Sequence, residues 1–381
     1  MALISFSVSC GGGAGTKITI NGFVVDSSNA PLSNVAIIYN GSKIGGTVAD
    51  GKFSVEFGVS DADDPENVAL IIFERGGYSR GFKQIKTSGG ALFSFRVKLK
   101  NIGNEKTADV PEGDKKTLVK ADNVMIQFGS GVLVDEDENP VTGNVSFNIA
   151  SFDTFLYDFL TPPVFHHIKS SAGAALPSLR VLAMGDFRMI QNDALVYVAE
   201  GKSLELYLRT SPFNFISASD DRIFRLDEET GYLVEFAGER TVDTGQNQIK
   251  ALVSLPGLYV WAKELSDTAC LDIDLKVDGS GKSKNSSVEL TGIGFKDEVN
   301  APSEGFYCVN GAKSSAVTLD VITVSETGNA FADQFSEILP SAQSSCQTGG
   351  CKQISYTIPC LADGDCAEGQ KCVELRCNPP L

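Results

Sequence analysis

Histidine and tryptophan are almost missing from this sequence: its 381 residues hold two His, His166 and His167, and one Trp. Adjacent residues on a strand face opposite ways, so this pair does not converge on one metal or substrate, and His-based catalysis is disfavoured. Basic residues are scarce as well. Lys and Arg total 32 against 48 Asp and Glu, a formal charge of −16, which argues against the clustered positive charge of a nucleic-acid groove or polybasic membrane patch. Cysteine is absent between Cys10 and Cys270. Beyond the N-terminus no run reaches the roughly 18 uncharged apolar residues of a membrane-spanning helix. Catalytic signatures are missing too, with no nucleophile elbow, HExxH, dinucleotide-binding glycine loop or Ser-x-x-Lys. Residues 278–284, DGSGKSK, imitate a phosphate loop, but Lys276 stands where the first glycine belongs, and a hairpin turn is expected there.

What is present is core-forming and turn-rich. The chain is 42% hydrophobic with 38 Gly, enough to bury cores, and its length predicts two to four folding units. From Lys17 the text alternates as strands do: KITINGFVV, VAIIYNG, KFSVEFGV, VALIIFERGGYS and LFSFRVKLK, broken by Asp, Asn, Gly and Pro. GFVVDSSNAPLSNV at residues 22–35 recurs as GVLVDEDENPVTGNV at 131–145, matching Gly22 to Gly131, Asp26 to Asp135 and Pro31 to Pro140. Strand, tight turn and strand is how a hairpin opening a sandwich is written. Residues 101–122 are polar and short of aromatics, so a linker is expected. Later strands are expected at LRVLAMGDFRMI, DALVYVAE, SLELYLRT, RIFRLDEETGYLVEF (turn at Asp227 to Gly231), GLYVWAKE, CLDIDLKV, SVELTGIGF and AVTLDVITV. After these, Asn329 caps an expected helix carrying Phe331, Phe335, Ile338 and Leu339 on one face.

Four resemblances add to this reading. Gly22-x-Val-Val-Asp26 with Pro31, Asp50-Gly51-x-Phe53 and Gly77-Tyr78 resemble the carboxypeptidase regulatory-like domains over residues 17–100. That likeness implies a transthyretin-like β-sandwich, a module that is usually non-catalytic. Ser7-Val8-Ser9-Cys10 followed by a glycine tract resembles the end of a bacterial lipoprotein signal peptide, although Ser7 stands where Leu is usual, which implies lipidation of Cys10. Residues 123–265 loosely resemble the second sandwich of bacterial surface lipoproteins.

Eight cysteines from Cys270 onward, namely Cys270, Cys308, Cys346, Cys351, Cys360, Cys366, Cys372 and Cys377, form an even cluster, the mark of disulfides in an oxidising compartment. The last 22 residues resemble the small Cys-rich modules that end secreted deltaproteobacterial proteins. That resemblance implies Cys360–Cys372 and Cys366–Cys377; Cys270–Cys308 and Cys346–Cys351 are the other expected pairs. Acidic turns at Asp61, Asp63, Asp64 and Glu66, and at Asp135 to Glu138, offer hard oxygens, so calcium is the one cofactor entertained, at the first cluster or at Asp135 and Asp137.

The expected architecture is mainly β: tandem β-sandwich domains with a small disulfide-rich C-terminal module. Residues 1–16 are the signal remnant and tether, 17–100 the first sandwich, 101–122 the linker, 123–265 the second sandwich, 266–345 a third β-rich unit, and 346–381 the disulfide-rich module. The expected function is that of a non-enzymatic lipoprotein of the outer membrane or cell surface. It would be anchored through Cys10 and would bind a protein or polysaccharide, or serve adhesion or envelope structure, without nucleic acid. The competing class is a secreted carboxylate- or metal-dependent hydrolase of envelope or extracellular polymers, which a deep pocket holding two carboxyl groups about 5 to 9.5 Å apart would mark.

Overall fold

The computed structural model describes the chain except for residues 1–15, 60–67, 87–91, 104, 153–166, 177, 212–215, 221, 279–285, 302–305, 325–329, 362–365, 367–370, 374–375 and 379–381. Among the described residues every regular element is a strand. The first sandwich runs from Thr16–Asp26 to Leu92–Leu99 in seven strands. Its first strand pairs with the fourth, Lys52–Val59, and in parallel with the seventh, while the third, second, fifth and sixth strands build the opposing sheet. Strict alternation makes this work: Phe53, Val55, Phe57 and Val59 point inward and their neighbours outward, meeting Ile18, Ile20 and Ile37.

The third unit repeats this topology. Thr268–Val277 pairs with its fourth strand, Phe306–Ala312, and in parallel with its seventh, Lys352–Ile358. Phe295–Ala301, Ser286–Gly292, Ala316–Val324 and Ala330–Ile338 form the second sheet, again in the order third, second, fifth, sixth. Two expectations are corrected here. The helix after Asn329 is instead the strand Ala330–Ile338, in unbroken register with Ala316–Val324. Phe331 and Phe335 are four apart, a spacing that serves a helical face and one side of a strand equally, so the apolar pattern alone misleads. The strand Lys352–Ile358, expected in the C-terminal module, completes the third sandwich. Cys360, Cys366 and Cys377 lie within the same buried cluster as Ile273 and Leu290.

Between these, the second unit stacks two sheets. One is ordered Arg240–Asp243, Gln248–Val253, Leu204–Arg209, Val124–Gly129, Lys116–Ala121. The other is built around Asn144–Phe152, Leu179–Gln191 and Gly257–Glu264, with Ile223–Leu226 and Leu233–Glu235 beyond, joined by the turn that starts at Asp227. Residues expected to be linker supply an edge strand to each sheet, Lys106–Asp109 and Lys116–Ala121. Edge strands face solvent over much of their surface, so their text is as polar as a linker's; Val119 is buried in the core, with Ala108 and Ala121 packed against it.

The sandwiches are not beads on a string. A separate apolar cluster joins Leu70, Ile72 and Phe82 of the first sandwich to Phe152, Leu179, Met184, Phe224 and Val260 of the second. The outer face of the first unit's four-stranded sheet thus lies on the outer face of the second unit's larger sheet. This explains VALIIF, whose central residues 69–73 are all buried: a strand covered on both faces reads as a continuous apolar run.

Four disulfides join the eight later cysteines. Cys360–Cys372 and Cys366–Cys377 pair as the resemblance implied. The other two differ from expectation: Cys270 pairs with Cys351, and Cys308 with Cys346. Parallel pairing of Leu271 with Lys352 sets Cys270 beside Cys351, a proximity between strands far apart in sequence that spacing cannot show.

Candidate functional site

Of the residues singled out by sequence, Cys10, Asp61, Asp63, Asp64, Glu66 and His166 lie outside the described residues. His167 packs edge-on against Tyr232 at 5.9 Å and has no second histidine described beside it. Asp135 and Asp137 are placed, and their turn is informative. The Asp135 amide donates to the Asn139 carbonyl at 3.0 Å, and the Val141 amide to Leu133 at 3.0 Å. Asp135 Oδ1 accepts from the Asn139 amide at 2.8 Å and the Asp137 amide at 3.0 Å. These bonds, the Asn139 amide first, hold the carboxyl below its ordinary range. The carboxylate braces its own turn through Oδ1, and the Asn139 side-chain amide reaches Oδ2 at 3.2 Å. A shallow groove of about 490 Å³ beside it, lined by Asp135, Glu136, Glu138 and Glu200, is acidic.

The matching first turn has the same wiring: Asp26 Oδ1 accepts from the Ala30 amide at 2.9 Å, and the Leu32 amide donates to Val24 at 2.8 Å. A third copy went unseen in the sequence. At Ile168 to Leu176 the Ser170 hydroxyl accepts from the Ala174 amide at 3.0 Å, and the Leu176 amide donates to Ile168 at 2.9 Å. Asn29, Glu138 and Gly173 take the one left-handed position, with φ of 66°, 63° and 84°. Ser replaces Asp and Ala replaces Pro here, so the letters no longer match although the acceptor-then-left-handed logic does.

The densest chemistry lies where the first sandwich meets its neighbours. Toward the second unit, Arg80 is 8% exposed and grips Asp186 with Nε to Oδ2 at 2.8 Å and Nη2 to Oδ1 at 2.5 Å, while Nη1 meets Glu228 Oε1 at 2.7 Å. Burial alone would lower its pKa; the Asp186 and Glu228 charges outweigh that and hold it raised. Two grooves of about 340 and 460 Å³ share Arg80 and Arg188. Arg75 and Tyr78 line one and Tyr197 and Arg225 the other, and Arg188 pairs with Glu74. Both acids nearest the shared floor, Asp186 and Glu228, accept from the same guanidinium.

Toward the third unit the seam is charged. Alternation on Leu92–Leu99 turns Val97 and Leu99 inward and sends Arg96 toward Asp320, Nη1 to Oδ1 at 2.9 Å. Lys83 Nζ reaches Glu298 Oε2 at 2.5 Å and Glu289 Oε2 at 3.2 Å, and Lys296 Nζ reaches Glu289 Oε1 at 2.5 Å. Burial would neutralise Lys83, but Glu298 and Glu289 overcome it and raise its pKa. Asp320 is pushed up, by burial first and then by Glu289. Lys83, Arg96, Lys98 and Lys296 are four cations against three anions, Glu289, Glu298 and Asp320. Burial and Arg96 push Lys98 down to about 7, which relieves the surplus. A third contact links the second and third units. The Val181 amide donates to the Gly294 carbonyl at 2.6 Å, at a bulge in the strand Leu179–Gln191.

No family model matches the chain, and no curated protein matches it in sequence. Among solved structures it is similar to the Bacillus anthracis TIE protein, at 10% identity and TM-score 0.19, covering 90% of this chain and 51% of that one. The chain therefore spans about half the length of that protein. The Bacillus cereus major pilin subunit BcpA follows at 9% identity and TM-score 0.17, covering 90% and 98%. A streptococcal ancillary pilin is at 10% and 0.16, covering 90% and 98%. Superposition at these scores assigns neither fold nor function.

Proposed function

We propose that this chain is a non-enzymatic surface lipoprotein, anchored to a bacterial outer membrane or cell surface through Cys10. Its sandwiches act as one stiff body that presents loops for adhesion, for binding a protein or polysaccharide, or for envelope structure. The observation that carries the reading is the way the first sandwich is held. An apolar cluster and the Arg80 clamp fix it to the second unit, and buried ion pairs fix it to the third. Stiff scaffolds position loops at little entropic cost on binding. In the two grooves beside Arg80, Asp186 and Glu228 both accept from that guanidinium.

Two measurements test this. Intact mass of the protein expressed from its native locus should give a mature chain beginning with acylated Cys10; a chain retaining residues before Cys10 refutes the anchor. Screening against polysaccharide, peptide and ester substrates should give no turnover. Turnover abolished by replacing one Asp or Glu, with folding intact, makes the protein a hydrolase.

A further inference from the structure

The groove of about 340 Å³ lies between the Gly76-Gly77 turn of the first sandwich and the strands Asn144–Phe152 and Leu179–Gln191 of the second. Two acids line it, and both are taken: Asp186 accepts from Arg80, and Glu74 pairs with Arg188. A third arginine, Arg75, has no ion-pair partner among the described residues; its guanidinium lies 5.1 Å from the centre of the Tyr78 ring. Three arginines against two acids leave this groove with a charge of +1, on a chain whose net charge is −16. Asn34 and Asn148 line the same groove, Asn148 directly opposite Arg188 in the strand register. Neither side-chain amide has a hydrogen-bond partner among the described residues.

The turn that carries Arg75 and Tyr78 is tied at both ends. The Tyr78 amide donates to the Arg75 carbonyl at 3.1 Å, and the Ile102 amide to the Gly77 carbonyl at 3.0 Å. A Cβ on Gly76 or Gly77 would meet nothing within 4 Å, so the turn stands open beside the ring. Past Arg80 and Arg188 the groove continues into the one of about 460 Å³, where three arginines face three acids, Asp227, Glu228 and Glu229. A polymer can therefore run through both grooves, but only the first has positive charge to spare.

We propose that the first groove binds a uronic-acid unit within a polysaccharide, an assignment that rests on the reading of this chain as a binding module. Arg75 takes the carboxylate. A guanidinium offers paired N–H donors on a rigid plane that match the two oxygens, and Arg80 and Arg188 have already met their acids. Asn34 and Asn148 each offer donors and an acceptor, as sugar hydroxyls require. Tyr78 supplies an apolar ring for the C–H groups of the sugar. Its tied turn leaves little freedom to lose on binding. A peptide is the poorer match, because the floor is the face of a sheet, where side chains project, whereas an extended peptide pairs with backbone groups at a sheet edge.

The probes are tetramers of galacturonate, glucuronate, mannuronate and guluronate, with methyl-esterified tetragalacturonate, a neutral dextran and tetraglutamate as comparisons. Each is titrated calorimetrically into the full, oxidised chain. At least one uronate tetramer should bind. For galacturonate the ester should bind at least about tenfold more weakly, the worth of one charge-assisted contact. Arg75→Gln should weaken the uronate by about the same factor and leave the ester unchanged, whereas Asn148→Ala should weaken acid and ester equally. Wild-type and variant Tm should agree, since Arg75 is half-buried and makes no ion pair. Failure of all four uronates to bind, or an Arg75→Gln variant that binds them as tightly as wild type, overturns the site. Tetraglutamate bound as tightly as the uronates makes the partner an acidic peptide and overturns the sugar assignment. Dextran bound without any uronate overturns this inference but leaves the binding-module reading standing; turnover of any probe, lost on replacing one Asp or Glu, defeats that reading itself.

Discussion

Replacing Lys83 by methionine tests whether the seam between the first and third sandwiches is held by charge. Lys83 is 7% exposed, and its ammonium lies between Glu298 at 2.5 Å and Glu289 at 3.2 Å. Methionine keeps the length of the stem but removes the charge, leaving Glu298 with the Ser287 hydroxyl at 3.0 Å and Glu289 with Lys296. Stranding a buried charge costs about 3–5 kcal/mol. For a cooperative unit of 150–250 residues, each kcal/mol moves Tm by about 2–4 °C. Lys83→Met should therefore lower the Tm of the transition containing both sandwiches by roughly 6–20 °C, read by calorimetry and by urea titration. The double variant Lys83→Met with Glu298→Leu should recover most of the loss, because a buried pair replaced by apolar groups of similar size is close to neutral. The exposed pair Lys17–Glu56 sets the scale for the opposite outcome: its side chains are 74% and 54% exposed, and such pairs contribute about 0–1 kcal/mol. A Lys83→Met cost of that size, or a double variant as unstable as the single, refutes the account.

Lys98, lowered to about 7 beside Arg96, Lys296, Asp320 and Glu289, binds fewer protons folded than unfolded above neutral pH. Stability should accordingly rise from pH 7 to 9, and Lys98→Met should flatten that rise while increasing stability at pH 7; a fall in wild-type urea midpoint over this range contradicts the sign. Glu138 holds a φ of 63° where the sister turn has Asn29 and the third copy Gly173, so Glu138→Asn should stabilise by about 0.5–1 kcal/mol in urea titration. A Cβ on Gly294 would stand 2.7 Å from the Val181 carbonyl at a φ of +76°, so Gly294→Ala should cost about 1–3 kcal/mol and speed amide exchange at Val181. Millimolar calcium should leave the Tm unchanged in a variant lacking the Asp61, Asp63, Asp64 and Glu66 carboxylates, since Asp135 Oδ1 already holds the Asn139 and Asp137 amides and Oδ2 meets the Asn139 side-chain amide.

Strands were legible because alternation is local: KFSVEFGV states its buried face within eight letters. What was not legible depends on partners far along the chain. VALIIF announces burial on both faces, but nothing in it says that the second cover is Met184 and Val260 of another unit. Lys83, Arg96, Glu289 and Asp320 read as solvent-facing charges, the usual fate of such letters, until residues some two hundred positions apart meet. Cys270 and Cys351 are neighbours only through a parallel strand pair. The third turn was lost for a different reason, since a hydroxyl and a glycine perform what Asp and Asn perform elsewhere.

Parallel pairing of the first and last strands has a mechanical consequence. In the first sandwich Thr19 to Asp26 run beside Leu92 to Leu99 in the same direction, so the chain enters at one end of the pair and departs at the other. A pull along the chain then loads these hydrogen bonds together, in shear, instead of unzipping them one by one. The third sandwich has the same arrangement, but Cys270–Cys351 crosses between the strands at their shared beginning. Tension arriving at Thr268 passes through sulfur into Lys352–Ile358, and the intervening five strands carry none of it. The first sandwich can yield and extend under load, whereas the third stays folded until that bridge is opened.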